Sequence, residues 1–195
     1  MKISNIFLVL CFLWVGISSC TLPKSEKVEE TAAPKPLADP VKPSQLVRIV
    51  KAKADQIDQE FGNYEKTEII FEVEGIEEKM IGWTKGGELI KLTDEILDDH
   101  GPMTIHYYYE NGQCIYILDR SELYERGTIH VTEDRYFLDE KTMLGHWNKR
   151  KSVREGASTD LTAIPNEERE FDLLKGEYQA GLAVKAKARF LEAAK

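Results

Sequence analysis

The sequence predicts an α+β fold: an N-terminal helix, an antiparallel β-meander of hairpin repeats, and a C-terminal helix. Three observations predict it. Apolar residues recur at helical spacing over residues 44–62. They alternate with polar residues from 65 to 149, in short runs broken by turn residues. Helical spacing then returns over 166–193.

Before the helix stand two segments that do not belong to the domain. Residues 1–19 open with Lys2 and continue as an apolar run from Ile6 to Ile17. A run of about 12 residues is too short to cross a bilayer core of about 30 Å, and the pattern is that of a secretory signal. Its last positions, Ile17-Ser18-Ser19-Cys20, resemble the lipobox of bacterial lipoproteins. That resemblance implies cleavage after Ser19, diacylglycerol on the Cys20 thiol, acylation of the new amino group and residence in the cell envelope. Thr21 is compatible with sorting to the outer membrane, on its periplasmic or its surface side. Several acyl chains together anchor stably, whereas one does not.

Residues 20–43 carry the lipidation site and then a tether. Pro23, Pro34, Pro36, Pro40 and Pro43 are interspersed with charges and almost no large apolar side chains, so the segment cannot build a core. Residues 44–195 are then one domain.

Pro43-Ser44 offers a helix cap, and Leu46, Val50, Ala54, Ile57 and Phe61 fall on one face up to Gly62-Asn63. The strands expected next are 67–74, 78–84, 89–92, 103–109, 114–118, 128–138 and 143–147. Gly75, Gly86-Gly87, Gly101-Pro102, Asn111-Gly112 and 139–141 supply turns, and Asn-Gly is a strong two-residue hairpin signal. Three hairpins look like copies of one unit. Aligning Gly87 with Gly112 superposes Trp83 on Tyr108 and Ile90 on Ile115. Aligning Tyr136 with Tyr107 superposes Phe137 on Tyr108 and Leu144 on Ile115. The middle copy, Tyr108-Tyr109-Glu110-Asn111-Gly112-Gln113, resembles the core of a MORN-type repeat, which implies a hairpin and nothing about binding.

A loop over 152–165 and a helix capped by Asn166 complete the chain. Phe171, Leu174, Tyr178 and Leu182, then Ala186 and Phe190, are expected on the packed face, with Gly176 and Gly181 weakening the helix.

Charge and chemistry bound the function. The chain has 26 basic and 34 acidic residues, a net of −8, and cleavage would remove Lys2 as well. Such a chain has no general attraction to nucleic acid. With Cys11 in the signal and Cys20 acylated, Cys114 is left without a disulfide partner and reads as a small buried hydrophobe. No phosphate loop, serine-hydrolase elbow, zincin or paired-cysteine motif occurs, so no cofactor, metal or catalytic residue is indicated. His106 and His130 could share a metal only if their strands were neighbours. Asp94, Asp98, Asp99 and His100 read as a charged loop. Glu133 with Asp134, or Asp119 with Glu122, carries no sign of a working acid–base pair.

The binding candidates are Trp83, Tyr108 and Phe137, an aromatic stripe that the hairpin alignment places on one sheet face, and with them Trp147. The same stripe would serve as core under the C-terminal helix. The expected function is a lipid-anchored envelope module, held to membrane lipid through Cys20, that binds an envelope protein without catalysis. The alternatives are a glycan or small-ligand protein with a pocket lined by His106, Tyr107, Tyr109 or Arg135, and behind it a small hydrolase. Lys149-Arg150-Lys151 with Arg154 forms a basic spot.

Overall fold

The computed structural model describes residues 43–73, 75–139, 142–170 and 172–195; the signal, Cys20 and the tether expected over 21–42 lie outside the described residues. Helix α1 (Pro43–Gln59) and a 3-10 turn (Phe61–Asn63) lead into an eight-stranded sheet. Its strands are β1 (Glu65–Val73), β2 (Ile76–Lys85), β3 (Glu88–Asp98), β4 (Gly101–Glu110), β5 (Gln113–Glu125), β6 (Thr128–Asp139), β7 (Thr142–Arg154) and the two-residue β8 (Glu167–Glu168). Helix α2 (Leu173–Ala193) ends the chain. Every strand pairs antiparallel with its sequence neighbour, in the order β1 to β8, so the sheet is an open meander and not a barrel. This is the α+β fold expected, with eight strands rather than seven and most of them longer.

The hairpin repeat is real and has a physical mark. Register shifts fall at Trp83/Thr84, Tyr108/Tyr109 and Phe137/Leu138. In each case the return strand carries one unpaired extra residue: Ile90, Ile115 and Leu144. These are the six residues that the sequence alignment superposed. A bulge adds local twist and re-aims the side chains beside it. Asn111 (φ 51°) and Gly112 (φ 77°) both take the left-handed turn that a two-residue hairpin needs.

Both faces of the sheet are apolar, so both are covered. Tyr107, Tyr108 and Tyr109 are consecutive, yet only 3%, 2% and 2% exposed. Successive residues point to opposite faces, so the run needs a lid on each side. On one face, Val47, Val50, Ala54 and Ile57 of α1 meet Tyr108, Ile115, Tyr116 and Phe137. On the other, Ala180, Ala183 and Phe190 of α2 meet Met80, Leu92, Tyr107, Ile117 and Met143. Beyond α1, Leu161 and Ile164 of the loop after β7 pack on Ile129, Val131 and Val153.

The C-terminal helix departs from expectation in two ways. It begins at Leu173, capped by Asp172, whose carboxylate accepts from the Lys175 N–H at 3.2 Å; Asn166 instead precedes β8. It also packs by its small residues. Leu174 and Tyr178 are 79% and 64% exposed, while Gly176, Ala180 and Ala183 face the sheet. A Cβ on Gly176 would stand 2.7 Å from Met143 Cβ, so the glycine sets how closely helix and sheet approach. Gly82 occupies the repeat position held elsewhere by Tyr107 and Tyr136, and Phe190 fills the missing ring's place: a Cβ there would collide with the Phe190 ring.

Helix α1 is fixed by a buried charge. Lys91 projects from β3 into a cage of Phe61, Trp83 and Tyr108, its ammonium 4.6, 5.6 and 4.5 Å from their ring centroids. Asp58 of α1 accepts from Lys91 Nζ at 2.8 Å and from the Tyr108 hydroxyl at 3.0 Å. Burial lowers the Lys91 pKa, and Asp58 opposes that shift. Asp58→Ala should cost about 1–3 kcal/mol in urea denaturation, because it strands a buried ammonium and a hydroxyl. Adding Lys91→Met should recover much of that loss, since an apolar replacement removes the uncompensated charge. An Asp58→Ala variant as stable as the parent would show that the cage alone holds Lys91.

Candidate ligand cleft

The aromatic stripe lies on one sheet face, but α1 covers it, not the C-terminal helix. Tyr108 and Phe137 are buried there, so they are core and not a binding face. Trp83 is partly accessible and stacks on Phe61, with centroids 5.1 Å apart; Trp147, also partly accessible, meets Phe137 edge-on at 4.7 Å. The pocket sketched from His106, Tyr107, Tyr109 and Arg135 does not exist, because strand parity sends Tyr107 and Tyr109 to the α2 side and the other two to the α1 side. His106 is no solvated strand residue. Its Nδ1 lies 2.8 Å from Thr93 Oγ1, and burial, then the Lys91 charge, pushes its pKa down to about 4 against the pull of Asp58. Strand β5 separates His106 on β4 from His130 on β6, so they share no site.

A row of polar groups crosses the α2 face instead. Cross-strand pairing links Met80, Asp94, Ile105, Asp119, Asp134 and Asn148 in succession from β2 to β7. Asp94, Asp119 and Asn148 each stand four residues after the bulge residue of their hairpin. The repeat thus delivers a polar group to the same height three times. Asp94 is therefore a buried strand residue, not part of a charged loop.

At the β5–β8 end the row builds a network. His146 Nε2 lies 2.5 Å from Asp134 Oδ1, and Asn148 Nδ2 donates to the same oxygen at 2.9 Å. The imidazole stacks on Tyr136, with centroids 4.6 Å apart. Asn148 Oδ1 accepts from Arg169 Nη2 at 3.0 Å, and the Arg169 N–H donates to the His146 carbonyl at 2.8 Å. The strap before α2 is thereby stitched to β7. Burial pushes the Asp134 carboxyl up, but hydrogen bonds from His146 and Asn148 and the nearby charges of His146 and Lys175 outweigh it, leaving the pKa lowered. Its cross-strand neighbour Asp119 is pushed up to about 6 by burial and by Asp134, against Lys175. Two carboxyls driven apart in this way can hold and release a proton near neutrality.

Above the network opens a cleft of about 470 Å³, lined by His146, Arg150, Arg169, Glu170, Asp172 and Lys175. Three permanent cations face two carboxylates, on a chain whose net charge is −8. Of the basic spot noted in the sequence, Arg150 alone points here. Lys149 and Lys151 reach the other face and donate to the carbonyls of Leu161, Ser158 and Asp160. In the sequence, Asp134 stands out beside Glu133, Asp119 with Glu122 and Arg150 in the basic spot, and nothing there joins them to one another or to His146. Strand parity could have placed Asp134, His146 and Asn148 together; Arg169 and Lys175 needed the strap. Cys114 takes no part. It is buried, and burial pushes its thiol up to about 12.

A second acid pair closes the far end of the row. Asp94 and Glu78 are buried side by side, Arg189 of α2 pairs with Glu78, and one Asp94 oxygen has no hydrogen-bond partner among the described residues. Burial, then the Glu78 charge, pushes the Asp94 pKa up to about 7. An unfolded aspartate ionises near 4, so from about pH 4 to pH 7 the native state keeps a proton that the unfolded state releases. This contribution is full below pH 4, falls as pH rises to 7, and is flat above. Asp94→Asn should abolish that fall. Measured as the difference from the parent, so that His106 and Asp119 cancel, its relative stability should rise between pH 4 and pH 8; a difference independent of pH would refute the assignment.

No family model, no curated protein and no solved structure matches this chain.

Proposed function

We propose that the chain is a lipid-anchored bacterial envelope protein whose domain binds, without catalysis, a small ligand bearing a carboxylate or phosphate. The single observation that carries the binding half is the cleft. Its volume lies within the range of about 300–1,000 Å³ of small-molecule sites. Its cationic lining is local on an otherwise acidic protein, and such a lining concentrates and orients an anion. Arg150 and Lys175 supply charge from opposite walls, and Arg169 is pre-positioned by Asn148. The anchoring half rests on Ile17-Ser18-Ser19-Cys20 and the proline-rich stretch behind it.

Two experiments test the two halves separately. Cys20→Ser should abolish incorporation of labelled palmitate and move the protein from the membrane to the soluble envelope fraction; an unchanged pattern would sink the anchor. For the cleft, thermal unfolding of the Cys20→Ser chain would be followed with inorganic phosphate, sugar phosphates and short carboxylates. A true ligand at 100 times its Kd should stabilise by about 2.7 kcal/mol. Arg150→Ala with Lys175→Ala should reduce that gain by at least about half. No stabilisation by any of these anions would remove the anion reading and return weight to a protein partner.

A further inference from the structure

The two edges of the sheet are treated differently. At one, β7 is covered by β8 and by the loop over 155–166, which Lys149 and Lys151 hold. At the other, β1 pairs with β2 alone among the described residues. Nine residues long, β1 has no proline, glycine or bulge. Such an edge is a template for another strand unless it is blocked. Ile70 stands 61% exposed in its middle.

We infer that β1 pairs antiparallel with β1 of a second copy, about a twofold axis at Ile69, joining two sheets into one. Such an axis stands perpendicular to the sheet, so each face meets its own kind and paired residues share parity. Among the central registers, centring on Glu68 sets it against itself. Centring on Ile70 sets Glu68 against Glu72. Centring on Ile69 sets Lys66 against Glu72 of the second copy, twice by symmetry, with Glu68 against Ile70, Thr67 against Phe71 and Ile69 against Ile69. Like charges directly opposite destabilise a pair and opposite charges stabilise it, so the Ile69 register wins.

Charge within one chain points the same way. Glu72 lies directly opposite Glu77 of β2 and has no ion-pair partner among the described residues. Lys66 of the second copy supplies the missing cation on the open side. Glu68 keeps Lys79 of its own chain at 3.6 Å when Lys66, which stands 3.1 Å from it in the single chain, turns to Glu72 of the second copy.

Directly opposed residues in antiparallel strands have Cα atoms about 4.5 or 5.5 Å apart, within disulfide reach. The full chain carrying Ile69→Cys, oxidised mildly in intact cells, should therefore give a disulfide dimer on a non-reducing gel. Ile70→Cys should not, because in this register the two copies of position 70 are about 8 Å apart. Lys66→Glu or Glu72→Lys, added singly to Ile69→Cys, should lower the dimer fraction roughly tenfold, and both together should restore it. Absence of the Ile69→Cys dimer in folded protein, equal crosslinking through position 70, or no restoration by the double exchange would each overturn the pairing. These variants lie outside the cleft, so their failure leaves the anion reading untouched.

Discussion

A sheet whose middle strands are apolar on both sides must be covered twice, and the rest of this molecule follows from that constraint. The run Tyr107-Tyr108-Tyr109 makes it plain, because three successive residues cannot all face one way. The two covers solve the problem differently. Helix α1 packs with aliphatic side chains and is locked by the caged Lys91 and its Asp58 partner. Helix α2 packs with glycine and alanine, comes close, and sends one large ring, Phe190, into the gap left at Gly82. The first cover gains specificity from a charge that must be paired, the second from shape.

The bulges connect this packing to the site. Each hairpin turns one aromatic toward α1 (Trp83, Tyr108, Phe137) and, four residues past its bulge, sets Asp94, Asp119 or Asn148 toward α2. A polar row across a sheet face is costly to bury, and buried ion pairs rarely repay that cost in stability alone. The row is served unevenly along its length: at one end Asp94 keeps an unpartnered oxygen beside Glu78, which pairs with Arg189, and at the other His146 and Asn148 serve Asp134. The row reaches the cleft only where the strap before α2 leaves His146 as a floor.

Much of this was legible in the sequence, and what was not had physical causes. Period-two alternation and the turn residues gave the meander. The aligned aromatics and aliphatics were the bulge sites themselves, because a bulge needs the same local chemistry in every copy. The cover over the stripe was assigned to the wrong helix, since periodicity says which residues share a face and nothing about which helix lies on it. On α2 the expected face holds at its end, where Ala186 and Phe190 pack on the sheet, and fails at its start, where Gly176, Ala180 and Ala183 allow the closer approach and leave Leu174 and Tyr178 outside. Asp94 was placed in a loop because an acid at a buried strand position contradicts pattern rules; only Glu78 and Arg189, brought together by register and tertiary packing, make it tolerable. The cleft was illegible for a similar reason. Arg169 reaches the His146 carbonyl from the strap between β8 and α2, which carries almost no periodic signal, and Lys175 joins the lining from the first turn of α2.

The electrostatics of the cleft therefore depend on residues that do not line it. Asp134 stays ionised because His146 and Asn148 bond to it, and that charge helps keep Asp119 protonated up to about pH 6. When Asp119 ionises, a second negative charge appears one strand away from Asp134, beneath the His146 floor, and weakens the field that the lining cations set up. A ligand anion would meet a more favourable site below that pH than above it. If the cleft binds an anion as proposed, the same hairpin repeat that built the core would set its pH range, through an aspartate that occupies in its copy the position Asn148 occupies in the next.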